Sequence, residues 1–81
     1  MNSTESIITN YIFNNYENVS EIRLKLIRLT LTYEMVLYMK NGEIKEIQIP
    51  YKEIRKIENS YLCYENTARA LENYIKTLFE N

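Results

Sequence analysis

The chain contains no histidine, no aspartate and no tryptophan, and it has a single cysteine, a single glycine and a single proline. Without histidine, no side chain changes its charge near neutral pH at its unperturbed pKa. Cys63 has no imidazole to activate it as a nucleophile, and Gly42 alone cannot form a phosphate-binding loop. These absences close most routes to an active site, so the sequence predicts a non-enzymatic protein without a cofactor or metal.

The length of 81 residues predicts one small domain, residues 1–81. Such a chain buries a modest core, and it lacks the cysteines and histidines that form disulfides or zinc sites in many small domains. Oligomerisation is the remaining common support and favours a homodimer. The apolar runs are too short for a membrane span, and the N-terminus lacks the basic start of a signal peptide. We therefore expect a cytoplasmic protein without membrane association.

Residues 3–15 predict a first helix. Asn2 and Glu5 have the spacing of an N-cap and its reciprocal partner. Apolar residues then recur on one face of the helix, at Ile7, Ile8, Tyr11 and Ile12. The asparagines at 14, 15 and 18 indicate its end, because asparagine favours turns over helix interiors.

Residues 20–31 alternate apolar and polar side chains, but the alternation changes phase. Apolar residues occupy even positions from 22 to 26 and odd positions from 27 to 31. A strand cannot exchange its faces without an irregularity, so we expect a bulge near Leu26-Ile27. A helix through 21–32 is the alternative, since Glu21, Lys25 and Arg28 would form a polar stripe at helical spacing. The alternating and β-branched character favours the strand.

The segment around Asn41-Gly42 predicts a β-hairpin. A three-residue loop, Lys40-Asn41-Gly42, with Gly42 at positive φ is a common connection. This register places Tyr33, Met35, Leu37, Met39, Ile47 and Ile49 on an apolar face. The opposite, semi-polar face then carries Glu34, Val36, Tyr38, Ile44, Glu46 and Gln48. Helices would cover the apolar face and leave the other open.

Two helical segments are expected after the hairpin. Pro50 ends the last strand because it has no N–H to donate, and it suits the first position of a helix. Residues 51–58 predict a short helix with Ile54 and Ile57 on one side, with a strand as the alternative. A long C-terminal helix follows, with Ser60 as its expected N-cap. Its inward residues recur at spacings of three and four: Tyr61, Tyr64, Ala68, Leu71, Ile75 and Leu78.

The predicted fold is therefore a single α+β domain. It consists of an N-terminal helix, a three-stranded antiparallel sheet, a short helical turn and a long C-terminal helix, with both main helices on the apolar sheet face.

Eight tyrosines in so short a chain favour a protein interface, because tyrosine combines apolar area with a polar tip. The predicted partner-binding residues lie on the open sheet face and on one flank of the C-terminal helix. They are Tyr38, Val36, Ile44, Glu46, Cys63, Ala70 and Tyr74.

Two basic clusters support an alternative function, nucleic-acid binding. They are Arg23, Lys25 and Arg28 along the first strand, and Lys52, Arg55 and Lys56 after the hairpin. The order helix, three strands, helix is similar to that of double-stranded-RNA-binding domains, which implies phosphate contacts at the start of the last helix. Residues 59–63 occupy that place and contain neither lysine nor glycine. The net charge of −1 also differs from the basic footprint of a typical nucleic-acid binder.

The sequence thus predicts a dimeric protein-binding module that occludes or bridges a protein partner. The abundance of isoleucine, asparagine, tyrosine and lysine indicates an A+T-rich genome, which favours a viral or mobile-element protein that inhibits a host factor such as a defence system. A nucleic-acid-binding regulator is the alternative. An enzyme that uses Glu34 and Glu46 ranks third, because so small a sheet face rarely forms the enclosed site that paired carboxylates need.

Overall fold

The computed structural model describes residues 3–80 and contains three helices and three strands in that range. In chain order these are α1 (Ser3–Asn15), β1 (Val19–Ile27), β2 (Thr32–Met39), β3 (Ile44–Pro50), α2 (Tyr51–Ser60) and α3 (Tyr64–Glu80). The strands form an antiparallel sheet in the order β1-β2-β3. The predicted α+β architecture is confirmed. The proposed cap at Asn2 lies outside the described residues.

The β2–β3 hairpin has the predicted loop and register. The Met39 N–H donates to the Glu43 carbonyl at 2.9 Å, and the Gly42 N–H donates to the Met39 carbonyl at 3.0 Å. Gly42 has a φ of +93°, a backbone conformation that residues with a Cβ rarely adopt. The Asn41 side-chain oxygen accepts a hydrogen bond from the Glu43 N–H at 3.0 Å. Pairing then continues from Tyr38–Ile44 to Thr32–Pro50.

The segment 19–27 is a strand, but the bulge expected near Leu26-Ile27 is absent. Pairing is regular to Ile27, which lies opposite Thr32, and the irregularity falls between Val19 and Glu21. The apolar pattern changes phase because the strand ends there and residues 28–31 form a turn. Leu29 lies in this turn and is 95% exposed. It therefore belongs to neither face of the sheet, although it continues the alternating sequence pattern.

The core lies between the apolar sheet face and the helices. Helix α1 packs on β1, α2 packs on β3, and α3 contacts both of the other helices. Burying each large aliphatic side chain contributes roughly 1.5–3 kcal/mol relative to exposure. The buried apolar residues are Ile7, Ile8, Ile12, Val19, Tyr33, Met35, Leu37, Ile49, Ile54, Leu71 and Ile75. A hydrogen bond from the Thr4 hydroxyl to the Glu58 carboxylate also connects α1 to α2.

The boundary between α2 and α3 differs from the prediction. Helix α2 continues to Ser60, whose hydroxyl donates to the Lys56 carbonyl at 2.6 Å, so Ser60 closes α2 and is not the N-cap of α3. Tyr61 is extended, with φ −124° and ψ 141°, and α3 begins only at Tyr64. The rings of Tyr61 and Tyr64 are consequently exposed and do not join the inward face of α3.

Pro50 also takes a slightly different position from the one expected. It is the last residue of β3 and the N-cap of α2, with φ −59° and ψ 128°, so the first helical residue is Tyr51. The Tyr51 N–H donates to the carbonyl of Leu31 at 2.9 Å, which ties the start of α2 to the turn between β1 and β2. The helix predicted over 51–58 is present with Ile54 buried in the core.

No helix among residues 3–80 is long and apolar enough to cross a lipid bilayer.

Candidate interaction surface on the open sheet face

One face of the sheet points away from all three helices. The helices pack against side chains of alternate sheet residues such as Leu24, Met35 and Ile49. The intervening side chains form what we call the open face. Its members are Glu21, Arg23, Lys25 and Ile27 of β1, Thr32, Glu34, Val36 and Tyr38 of β2, and Ile44, Glu46 and Gln48 of β3.

The centre of the open face is apolar. Tyr38 lies opposite Ile44 and Val36 lies opposite Glu46 in the β2–β3 ladder. Ile44 is 61% exposed, whereas Val36 and Tyr38 are half-buried among their sheet neighbours. Glu34 lies opposite Gln48 in the same ladder, so the six residues that the hairpin register predicts for this face do share it. Directly opposed side chains in a sheet are close enough to act as one contact patch.

Strand β1 adds a cation to this patch. Arg23 lies opposite Val36, and its guanidinium sits over the Tyr38 ring at 5.7 Å from the centroid. Its Nε is also 3.5 Å from a carboxylate oxygen of Glu21. A cation over an aromatic face gains about 0.5–1 kcal/mol at an exposed site. Arg23 and Tyr38 are thus held together as an amphipathic pair, and both residue types are enriched at protein interfaces.

The basic residues considered for nucleic-acid binding do not form one uninterrupted surface. Arg23 and Lys25 lie on the open face, where Lys25 is opposite Glu34. Arg28 belongs to the turn after β1. The second cluster is exposed on α2 and comprises Lys52, Arg55 and Lys56. Because carboxylates alternate with the cations of the open face, its charge is mixed and not predominantly basic.

The residues predicted on the flank of the last helix lie apart from the open face. Cys63 is exposed in the segment before α3, and Ala70 and Tyr74 are half-buried on α3. Tyr74 packs against the core. Burial raises the pKa of its phenol, and the negative charge of Glu53 on α2 raises that pKa further. This flank of α3 therefore faces α2 at Tyr74.

The structure also contains a groove that the sequence reasoning missed. It lies on the helix side of the sheet, near the β2–β3 hairpin, between the end of α3 and strand β3. Its lining residues are Asn15, Tyr16, Glu17, Asn18, Val19, Leu37, Met39, Lys45, Ile47, Leu78 and Phe79. One feature of the sequence could have indicated this groove. Lys45 is a charged residue on the same face of β3 as the apolar residues Ile47 and Ile49.

Three further comparisons bear on the identity of this arrangement. Models of known protein families, curated proteins and solved structures were compared with the chain, and none of them matches it. Among residues 3–80, no group of three or more cysteine, aspartate or glutamate side chains could hold a metal ion.

Proposed function

We propose that this protein is a non-enzymatic protein-binding module that docks through the open face, and that its first partner is a second copy of the chain. The observation that carries the proposal is the arrangement of charge on that face. Arg23 lies on one edge strand and Glu46 on the other, in the same cross-strand row, with Val36 between them. A face with this arrangement is complementary to its own copy.

The geometry of the dimer follows from sheet packing. Two sheets packed face to face keep their strand directions within about 30° of each other. A two-fold axis along β2 then sets β1 of one copy against β3 of the other. In this arrangement Arg23 of each copy faces Glu46 of its partner copy, and Val36 faces Val36. An interface of this kind is isologous, so each charge pair forms twice.

Electrostatics favours this axis over the other arrangement of aligned sheets. In that arrangement the two-fold axis runs perpendicular to the strands, along the row of Arg23, Val36 and Glu46. It would set Arg23 against Arg23 and Glu46 against Glu46. Opposed like charges cost several kcal/mol at an interface. Among the charged residues of the open face, the axis along β2 sets only Glu34 opposite its own copy, and Lys25 lies beside Glu34 in the neighbouring strand of each copy. A Glu34→Gln change should therefore tighten the dimer.

The size of the face supports a reversible dimer. Three strands span about 14 Å, and the eight residues of β2 span about 27 Å. Two such corrugated faces bury on the order of 1,000 Å² together, which is at the lower end for specific complexes. We therefore expect a dissociation constant in the micromolar range. Dimerisation would leave both helical layers outward, where each copy is available to bridge or occlude a further protein.

The finer parts of the proposal extend from this dimer. We place the protein in the cytoplasm and favour a viral or mobile-element origin, with a host protein as the target that the dimer occludes. The abundance of isoleucine, asparagine, tyrosine and lysine, whose codons are A+T-rich, supports this choice.

A charge exchange tests the proposal directly. Arg23→Glu and Glu46→Arg should each abolish the dimer in sedimentation equilibrium, because each sets like charges together twice. The double variant should restore the dimer, since it exchanges the two charges. Lys56→Glu and Glu65→Arg are matched controls, as both side chains are exposed and lie on helices. A dimer that survives both single changes, or a double variant that stays monomeric while folded, would contradict the proposed interface.

A further inference from the structure

The groove between α3 and β3 has a volume of about 530 Å³. Pockets that bind small molecules span roughly 300–1,000 Å³, so this volume suits a ligand and exceeds a packing defect. The groove is on the side of the sheet opposite the open face, because Leu37, Lys45 and Ile47 alternate with the open-face residues of their strands. An occupant would therefore not compete with the proposed dimer.

The floor of the groove is apolar and one wall is aromatic. Val19 and Leu37 are buried at its base, and Met39 and Ile47 are half-buried beside them. The rings of Tyr16 and Phe79 pack in a tilted arrangement, with centroids 4.5 Å apart and an interplanar angle of 31°. Tyr11 meets Tyr16 edge to face at 6.4 Å. The π face of an aromatic ring attracts a cation that lies within about 6 Å of its centroid.

The electrostatic environment of the groove is negative. Helices α1 and α3 both end beside it, and neither has a basic residue in its last turn. Each helix C-terminus carries roughly half a negative charge. Glu17 lies on the rim, and Glu80 ends α3 one residue after Phe79. Among the lining residues Glu17 is the one acid and Lys45 the one cation, so the negative excess comes from the two helix ends and from the nearby Glu80.

The pKa of the Tyr16 phenol is consistent with a negative environment in the groove. Burial raises the pKa of its phenol, and the neighbouring Tyr11 and the negative charge of Glu80 raise that pKa further. The carboxylate of Glu80 therefore acts on the aromatic wall although it does not line the groove. Within residues 3–80, no basic side chain forms an ion pair with Glu17, which leaves its carboxylate available to a ligand.

We propose that this groove binds a small amphipathic cation, an organic ammonium with an apolar chain or ring. The apolar body would lie on the floor formed by Val19, Leu37 and Ile47. The ammonium group would lie at the rim, between the Glu17 carboxylate and the aromatic wall. An anionic amphiphile of equal length would be attracted only by Lys45 and would be repelled by the negative helix ends.

Matched probes test the charge preference. Decylammonium and decanoate carry the same apolar chain and opposite charges, and both can be titrated below the concentrations at which they form micelles. Binding is followed by the backbone amide NMR shifts of Val19, Met39 and Ile47. We expect decylammonium to bind at least about tenfold more tightly than decanoate, because opposite charges at a few ångströms gain or lose this much in a partly hydrated site.

Charge variants at the rim test the placement of the ammonium group. Glu17→Lys should weaken decylammonium binding about fivefold or more, and Lys45→Glu should strengthen it. Glu65→Lys is the matched control, because Glu65 is exposed in the first turn of α3 and Glu80 ends the helix. Its decylammonium affinity should equal that of the parent chain.

Three results would overturn the proposal. The first is equal or tighter binding of decanoate. The second is no shift change with either probe up to about 1 mM, the weakest affinity worth assigning to a site. The third is the same loss for Glu17→Lys and Glu65→Lys. A Tyr38→Glu variant should retain decylammonium binding, so a failure of the dimer proposal and a failure of this one are distinguishable.

Discussion

Replacing Gly42 by alanine tests the turn that assigns every sheet residue to its face. The φ of +93° is strained for a residue with a Cβ, while the new methyl group would meet no atom within 4 Å. The cost is therefore one of backbone conformation, about 1–2 kcal/mol. Alanine also reduces the entropy of the unfolded chain, which returns about 0.4–1 kcal/mol. The net loss of stability is about 1 kcal/mol.

Urea and thermal unfolding of Gly42→Ala and Gly42→Asn measure this effect. A loss of about 1 kcal/mol lowers the Tm of a domain this size by about 4–8 °C. The urea m-value should not change, because the surface exposed on unfolding stays the same. Asparagine tolerates positive φ better than alanine, so Gly42→Asn should lose less. An alanine variant as stable as the parent chain would refute the argument that positive φ at this position sets the hairpin.

Three further outcomes are expected. Leu71→Ala should destabilise the fold by about 2–5 kcal/mol in urea unfolding, whereas Leu62→Ala, at a fully exposed position, should stay within about 0.5 kcal/mol; equal effects would contradict the assigned core. Leu31 has a φ of 51°, so Leu31→Asn should raise the Tm, because asparagine favours this region; a lower Tm would count against it. Burial raises the pKa of Tyr16 and of Tyr74, so folding favours the neutral forms of these two phenols. The stability that this provides should be fully present below about pH 10. It should fall as the pH rises through the folded-state pKa values. Absorbance at the tyrosinate band should show at least two phenols that ionise at higher pH than in the unfolded chain, and a uniform titration would contradict this.

The parts of the fold that follow local rules could be predicted from the sequence. The Asn41-Gly42 pair specifies its own loop, and the loop length then decides which side chains lie opposite each other. That register predicts a shared face for Val36, Tyr38 and Ile44, and the strand pairing confirms it. The helix over 3–15 was equally predictable, because its apolar residues recur at helical spacing.

Element ends were harder to predict because tertiary contacts set them. Leu29 and Leu31 continue an alternating pattern, yet they belong to a turn in which the Leu31 carbonyl accepts a hydrogen bond from Tyr51. Ser60 has the chemistry of an N-cap, but its hydroxyl bonds back to Lys56 and ends the preceding helix. Sequence spacing alone does not distinguish these two uses of the same side chain.

The complete candidate site could not be predicted from the sequence, because tertiary contacts bring its residues together. The basic residues of β1 were visible in the sequence, but the position of Arg23 over the Tyr38 ring depends on the β1–β2 register, which sets Arg23 opposite Val36. The groove depends on how two helix ends and one edge strand meet, and no local pattern encodes that meeting.

Sedimentation equilibrium of the parent chain and of Tyr38→Glu tests the proposed self-association most directly. The parent mass should rise with concentration from 9.8 kDa towards twice that value, with a midpoint in the micromolar range. Tyr38→Glu should stay at the monomer mass with an unchanged circular dichroism spectrum, while Tyr64→Glu, on an exposed ring of α3, should dimerise like the parent. A parent chain that remains at 9.8 kDa at several hundred micromolar, or a Tyr38→Glu variant that dimerises equally well, would contradict the account.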